Sequence, residues 1–223
     1  MKTLKNNELC AIIPVYNESE QVTNIINEVV SIGAMPIVVN DGSTDKTFEI
    51  CKNRDDIILI NHKKNKGYIE ALNSGFRCDA VKDYEYVVTI DADGQLPVKY
   101  LLDFISTARN NKYDLVVGNR NYKNKISEIL TSNLLNYFIK IKDPFCGLKL
   151  YKYSSINKFL PFDTMNLIGA ELLIKSHKYN LNIFHYPISV NKRRDKSRFG
   201  NFLVGELKII FALIRIILNY SRF

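Results

Sequence analysis

From Leu9 to Ile90 the chain alternates between short apolar runs and amphipathic helical stretches, and each apolar run stops at a polar, acidic or turn-forming cluster. The change of period from two to 3.6 predicts strands over 9–15, 36–39, 57–60 and 86–90 and helices over 20–31, 44–53 and 67–79. Strands alternating with helices must pair in parallel through crossover connections, so the fold class is α/β with a mostly parallel central sheet and helices on both faces. In such a sheet ligands collect beyond the carboxyl ends of the strands. Residues 14–18, 41–43 and 91–95 are therefore expected along one rim.

The second half is less regular. Strands are predicted over 115–117 and 148–151 and helices over 127–139 and 169–178. A chain of 223 residues, 46% hydrophobic, has the material for one good core but not for two large domains and a linker. The expected organisation is a single domain over 1–200 and a separate amphipathic helix over 201–223. No internal repeat or low-complexity linker interrupts it.

The formal charge of +8 points to polyanionic partners: nucleic acid, an anionic membrane or a phosphorylated small molecule. Cys10, Cys51, Cys78 and Cys146 are too scattered for a zinc site or a disulfide framework, which suits a reducing cytoplasm. The apolar run at 9–15 is too short for a secretory h-region and is broken by Pro14, so export is not expected.

Asp91-Ala92-Asp93-Gly94-Gln95 follows a Val-Val-Thr-Ile strand. Two carboxylates one residue apart at a strand end, with an amide two positions on, form a hard oxygen set for Mg²⁺ or Mn²⁺ bridging a diphosphate. The competing reading is a plain Asp-Gly turn. Asp41-Gly42-Ser43-Thr44-Asp45 reads either as a turn capped by Ser43 or Thr44, or as a strand end where Asp41 accepts a hydrogen bond from a base or ribose. Pro14-Val15-Tyr16-Asn17-Glu18 offers an aromatic face and a carboxylate, or an ordinary strand-to-helix loop. Asn65-Lys66-Gly67-Tyr68 leads into a helix whose Ala71 and Gly75 suit close packing, with its N-terminus as a phosphate-facing alternative. His62, His177 and His185 lack partners at ligand spacing and are assigned to surface or packing.

These four clusters together resemble the family-2 glycosyltransferases, whose fold is called GT-A. Val117-Gly118-Asn119-Arg120, Asp143-Pro144-Phe145-Cys146-Gly147 and Ser197-Arg198-Phe199-Gly200 extend the likeness toward the polyprenyl-phosphate branch, of the dolichyl-phosphate mannose synthase type. The resemblance runs from about residue 9 to 200 in the family's order. It implies that Pro14, Tyr16, Glu18 and Asp41 bind the nucleoside, with Lys66 and Ala92 among the nucleotide-sugar contacts. It further implies that Asp91, Asp93 and Gln95 surround the metal and diphosphate, and that Arg120 and Arg198 contact phosphate. Asn40 and Asp195 depart from the pattern, standing where relatives carry an aspartate and a glycine.

The activity implied is inverting transfer of a sugar from a UDP- or GDP-sugar, with Asp93 at the catalytic centre. The acceptor implied is membrane-associated polyprenyl phosphate; a hydroxyl of an envelope glycan or glycolipid is the alternative. A phosphate acceptor is already ionised, whereas a hydroxyl needs a base, for which Glu171 and Asp143 are the candidates. Glu171 reads equally as an exposed carboxylate in a helix first turn.

The tail, 202–218, is apolar apart from Glu206, Lys208 and Arg215. At 1.5 Å per residue it reaches about 25 Å, short of the roughly 20 apolar residues of a bilayer crossing. Its basic flanks suit a helix lying on an anionic membrane surface, peripheral to the inner face of the cell membrane; packing against the domain or a dimer partner is the alternative. Locating the positive charge there leaves no basic and aromatic groove for nucleic acid. A nucleotidyltransferase is disfavoured because 11–18 lacks glycine, and a dehydrogenase because no Gly-x-Gly-x-x-Gly follows the first strand. A non-catalytic nucleotide-binding or scaffold protein would not need Asp41, Asp91 and Asp93 together.

Overall fold

A computed structural model describes residues 4–123, 125–190 and 202–222. Its first half runs β1 (Leu9–Val15), α1 (Val22–Ser31), β2 (Met35–Asn40), α2 (Thr47–Lys52), β3 (Ile58–Asn61), α3 (Tyr68–Phe76) and β4 (Tyr86–Thr89). The second half runs α4 (Tyr100–Asn111), β5 (Leu115–Arg120), α5 (Ile126–Ile139), β6 (Lys149–Lys152), α6 (Tyr153–Ile156), α7 (Glu171–Lys178), β7 (Ile183–Ile188) and α8 (Phe202–Asn219).

The strands form one seven-stranded sheet in the order β3-β2-β1-β4-β6-β5-β7. Only β6 runs against its neighbours, pairing antiparallel with β4 and β5. Strand β1 is central and is covered on both faces, which is why nearly every residue of Leu-Cys-Ala-Ile-Ile-Pro-Val is buried. Its side chains alternate between two cores. Ala11, Ile13 and Val15 join Val22, Ile25, Ile26 and Val29 of α1 and Leu101 and Phe104 of α4 on one face. Cys10 and Ile12 join Ala71 and Leu72 of α3, Leu135 of α5 and Leu172 of α7 on the other. Gly75 allows α3 to lie directly on β1, since a Cβ there would collide with Ile12. That is the packing role expected for the small face of this helix.

The predicted α/β class and its central alternation are therefore present, with boundary shifts of a few residues. Three elements of the second half were not anticipated: α4, the short α6 and β7. Helix α4 buries Leu101, Phe104, Ile105 and Ala108 at helical spacing. Strand β7 is the outer neighbour of β5, with Pro187 opposite Asn119. An edge strand tolerates a proline that a central one does not.

Helix α8 takes the position given as the alternative for the tail, packed against the domain. Ile209, Ala212 and Ile216 are buried, and α8 packs along α5. Glu206 accepts the Ile126 and Ser127 N–H groups, at 3.2 and 2.9 Å, so it satisfies donors at the start of α5. The opposite face exposes Leu207, Ile210, Phe211, Ile214, Ile217 and Leu218. Among the described residues no helix is long and apolar enough to cross a membrane. The expected boundary between residues 200 and 201 lies outside the described residues.

Candidate active site

The ends of β1 and β2 are sewn together by short polar side chains. The Asn17 N–H donates to Ser43 Oγ (3.0 Å), and Asn17 Oδ1 accepts the Thr44 N–H (2.8 Å). Asp45 accepts the N–H groups of Ser19 (3.1 Å) and Thr47 (2.9 Å), and the Glu18 N–H donates to Thr47 Oγ1 (2.8 Å). Ser43 and Thr44 therefore hold the neighbouring loop rather than cap α2. That helix begins at Thr47, where Asp45 supplies the acceptor.

Asp41 latches the next loop. One oxygen accepts the Lys66 N–H (2.9 Å) and a hydrogen bond from His62 Nδ1 (2.7 Å), and the other accepts the Gly67 N–H (2.8 Å). Its carboxylate, buried at 3% exposure, is largely occupied within the protein. The structure thus makes Asp41 an organiser of this rim; a ligand contact would use the capacity that remains. Gly42 is required beside it: φ is +69°, and a Cβ would collide with the backbone of Lys64 and Asn65. His62, expected at the surface or in packing, is buried and bridges the rim to α3, with Nε2 2.9 Å from Ser74 Oγ. Asn40 turns its amide to Asn61 Oδ1 (2.7 Å).

At the end of β4, Asp91 and Asp93 remain partly exposed beside buried Ala92. Asp91 Oδ1 accepts the Tyr68 hydroxyl (2.9 Å), and Asp93 Oδ1 accepts the Gln95 N–H (3.1 Å), closing the turn. Burial, and then the charge of Asp93, push the Asp91 carboxyl up to about 6. Gly147, entering β6, lies against this carboxylate so closely that a Cβ would collide with it. Among the described residues no cluster of three or more His, Cys, Asp or Glu side chains stands ready for a metal. Two carboxylates and Gln95 are nonetheless the share a protein contributes where substrate phosphates and water complete the coordination. By lacking a Cβ, Gly147 leaves the room in which the Asp91 carboxylate itself sits at the strand end.

Elsewhere on the rim, Pro14 and Tyr16 are partly buried, Glu18 is buried, and Lys66 is exposed. Arg198 lies outside the described residues.

Arg120 and Asp143 are bound to one another. The Arg120 guanidinium forks onto Asp143 at 2.8 and 2.9 Å and reaches Glu128 at 2.8 Å. Asp143 is fully buried; burial alone would raise its carboxyl, but Arg120 overrides that and holds it below the usual range. Glu171 is also fully buried, in the first turn of α7. It accepts the N–H groups of Thr164 (2.6 Å) and Met165 (2.8 Å) and pairs with Lys175 (2.6 Å). Against the effect of burial, Lys175 and those N–H groups keep it below the usual range. Asp163 accepts the Leu167 and Gly169 N–H groups. The expectation of Glu171 as an exposed first-turn carboxylate gives way here, while Asp143 and Arg120 are engaged with each other. These groups already carry protein partners, and Asp143 and Glu171 have no solvent access.

Lys149, which sequence reasoning passed over, lies beneath the rim. It pairs with Thr89, two residues before Asp91, and its Nζ donates to the Gly169 carbonyl at 3.3 Å. Burial pushes its ammonium pKa down. The available signal was a lone lysine inside Cys-Gly-Leu-Lys-Leu-Tyr, where the alternation points it inward.

A seven-stranded sheet of this order, with an Asp-x-Asp turn at the end of β4, is that of a GT-A glycosyltransferase. The chain belongs to glycosyl transferase family 2, whose model matches residues 10–180. It is 25% identical over 210 residues to a dolichyl-phosphate hexose transferase of Haloferax volcanii, covering 89% of each chain. It is 27% identical over 239 residues to a UDP-N-acetylglucosamine–dolichyl-phosphate N-acetylglucosaminyltransferase of Methanococcus voltae, covering 91% of this chain and 93% of that one. These relatives match the polyprenyl-phosphate branch. Among solved structures, the glucosyl-3-phosphoglycerate synthase of Mycobacterium tuberculosis with Mn²⁺, UDP-glucose and phosphoglyceric acid aligns with a TM-score of 0.72. It is 18% identical, over 93% of this chain and 79% of that chain, and the likeness is one of fold.

Proposed function

We propose that this glycosyltransferase moves a sugar, with inversion, from a UDP- or GDP-sugar to a membrane-borne phosphate, polyprenyl phosphate. The observation that carries the acceptor class is the state of Asp143 and Glu171. Both are buried and hydrogen-bonded, so neither is poised to take a proton from a hydroxyl. An ionised phosphate needs no such base. The dolichyl-phosphate activities in the names of the relatives support the same acceptor.

In this reading Asp91, Asp93 and Gln95 would hold Mg²⁺ or Mn²⁺, which supplies charge neutralisation for the departing diphosphate. Asp41 and Asp45 fix the loops that receive the nucleoside, and Tyr68 orients Asp91. A phosphate oxygen of the acceptor attacks the anomeric carbon. The bond from that carbon to the β-phosphate oxygen breaks, and its electron pair leaves with the nucleoside diphosphate. Asp143 and Glu171 act as positioning residues, and the exposed apolar faces of α5 and α8 suit residence on the inner face of a membrane.

The test is a thermal-shift panel of UDP- and GDP-sugars with and without Mn²⁺, followed by transfer to a prenyl phosphate. A metal-dependent rise in melting temperature with one nucleotide class, and an acid-labile glycosyl phosphate product, are expected. No metal-dependent shift with any donor, or transfer only to hydroxyl acceptors, would overturn the reading.

A further inference from the structure

A cleft of about 670 Å³ opens between α3, the 161–168 loop and α8. Its walls include Lys66 and Tyr68 from the α3 end and Lys208, Phe211 and Arg215 from α8. Tyr68 connects it to the candidate metal site, because this cleft-lining residue donates its hydroxyl to Asp91. Tyr68 therefore stands between the cleft and the carboxylates at the end of β4.

The charge of the walls is unequal. Lys66, Arg77, Lys208 and Arg215 face two acidic residues, Glu70 and Asp163. Arg77 pairs with Glu70, and Asp163 is 2% exposed with its oxygens directed to backbone N–H groups. The α8 wall combines cations with an aromatic ring: Phe211 is 57% exposed, and the exposed Leu207, Ile214 and Leu218 share its helix. Arg215 ties α8 to the loop by donating to the Met165 carbonyl (3.2 Å). Such a surface matches an amphiphile with an anionic head and a single apolar chain.

We propose that this cleft is the acceptor entrance, taking a phosphomonoester whose head is drawn in by Lys208 and Arg215 and whose apolar chain leaves across Phe211. The inference rests on the phosphate-acceptor reading above and adds to it a place, a direction and three residues of α8. All three side chains are exposed, so they can be changed without opening the core.

The test uses the full chain, a prenyl phosphate of two isoprene units and glycerol 3-phosphate as a chain-free phosphomonoester. Binding is followed by calorimetry and transfer by product formation. With the Lys208→Glu/Arg215→Glu double variant, the prenyl phosphate Kd and the acceptor KM should each rise about tenfold or more, through loss of charge complementarity. The donor KM and the donor-induced melting shift should stay unchanged. Phe211→Ser should weaken prenyl phosphate alone and leave glycerol 3-phosphate untouched; equal weakening of both would exclude the lipid chain from the cleft. Arg215→Lys, which keeps the charge, should retain acceptor affinity and so separate charge from the Met165 contact. If the wild type binds and glycosylates prenyl phosphate but folded charge-reversed protein does so equally well, the cleft is wrong and the acceptor class stands. If the wild type binds no phosphomonoester at all, the acceptor class and the cleft fall together.

Discussion

The two ends of the rim use their acidic residues in opposite ways. At the end of β4, Asp91 and Asp93 stay partly exposed, each with a hydrogen bond from a neighbouring donor. Beyond β5 and at α7, Asp143, Asp163 and Glu171 are buried and satisfied by Arg120, Lys175 and backbone N–H groups. A carboxylate kept near water at a strand end is available to a ligand, whereas a buried and fully bonded one organises the chain around it. The contrast teaches that acidity along a rim does not measure reactivity; the partners already present decide it.

Four outcomes break or sharpen this contrast. Asp93→Asn keeps the acceptor for the Gln95 N–H but removes the charge, so transfer should fall about 1,000-fold with the fold intact. Turnover at the wild-type rate would end the assignment of the open carboxylates to the donor diphosphate. Asp143→Ala, by contrast, should act on folding, costing about 3–5 kcal/mol because Arg120 loses a buried partner. Chemical denaturation measures this, and an intact stability with lost activity would return Asp143 to a direct catalytic role.

Gly147→Ala should displace the Asp91 carboxylate and lower transfer about 100-fold, a loss of roughly 3 kcal/mol in transition-state stabilisation. Its Mn²⁺ dependence should weaken in parallel, as a metal titration followed by thermal shift would show. The smallest effect is on pH dependence. Asp143 and Glu171 both sit below their usual values. Their stabilisation is complete above the unfolded carboxylate pKa of about 4 and is lost as pH falls through the lower folded values. Melting temperature should therefore drop on acidification below about pH 4, and an acid limb unchanged in Glu171→Gln would remove Glu171 from that account.

Much of the donor half was legible because its signals are local. Apolar runs such as Leu9–Val15 and the turn after β4 carry their conformation within a few residues. Helix α4 was missed although Leu101, Phe104, Ile105 and Ala108 carry helical spacing, because it followed the Asp-x-Asp turn without a capping cluster of its own. Strand β7 was obscured by Pro187, which only an edge position accommodates. The pairings Arg120–Asp143 and Asp41 with Lys66 and Gly67 join residues more than twenty positions apart, so no window along the chain contains both partners. Lys149 needed the antiparallel insertion of β6 beside β4 before its ammonium could be placed beneath the rim.

The sequence by itself determined the α/β class, the common rim and the Asp91–Asp93 turn, because hydrophobic period and turn chemistry act over short stretches of chain. Only the tertiary structure decided which carboxylates stay open and which are engaged. That choice depends on burial and on partners brought from distant parts of the chain, and those exist only once the sheet, α7 and α8 have packed together.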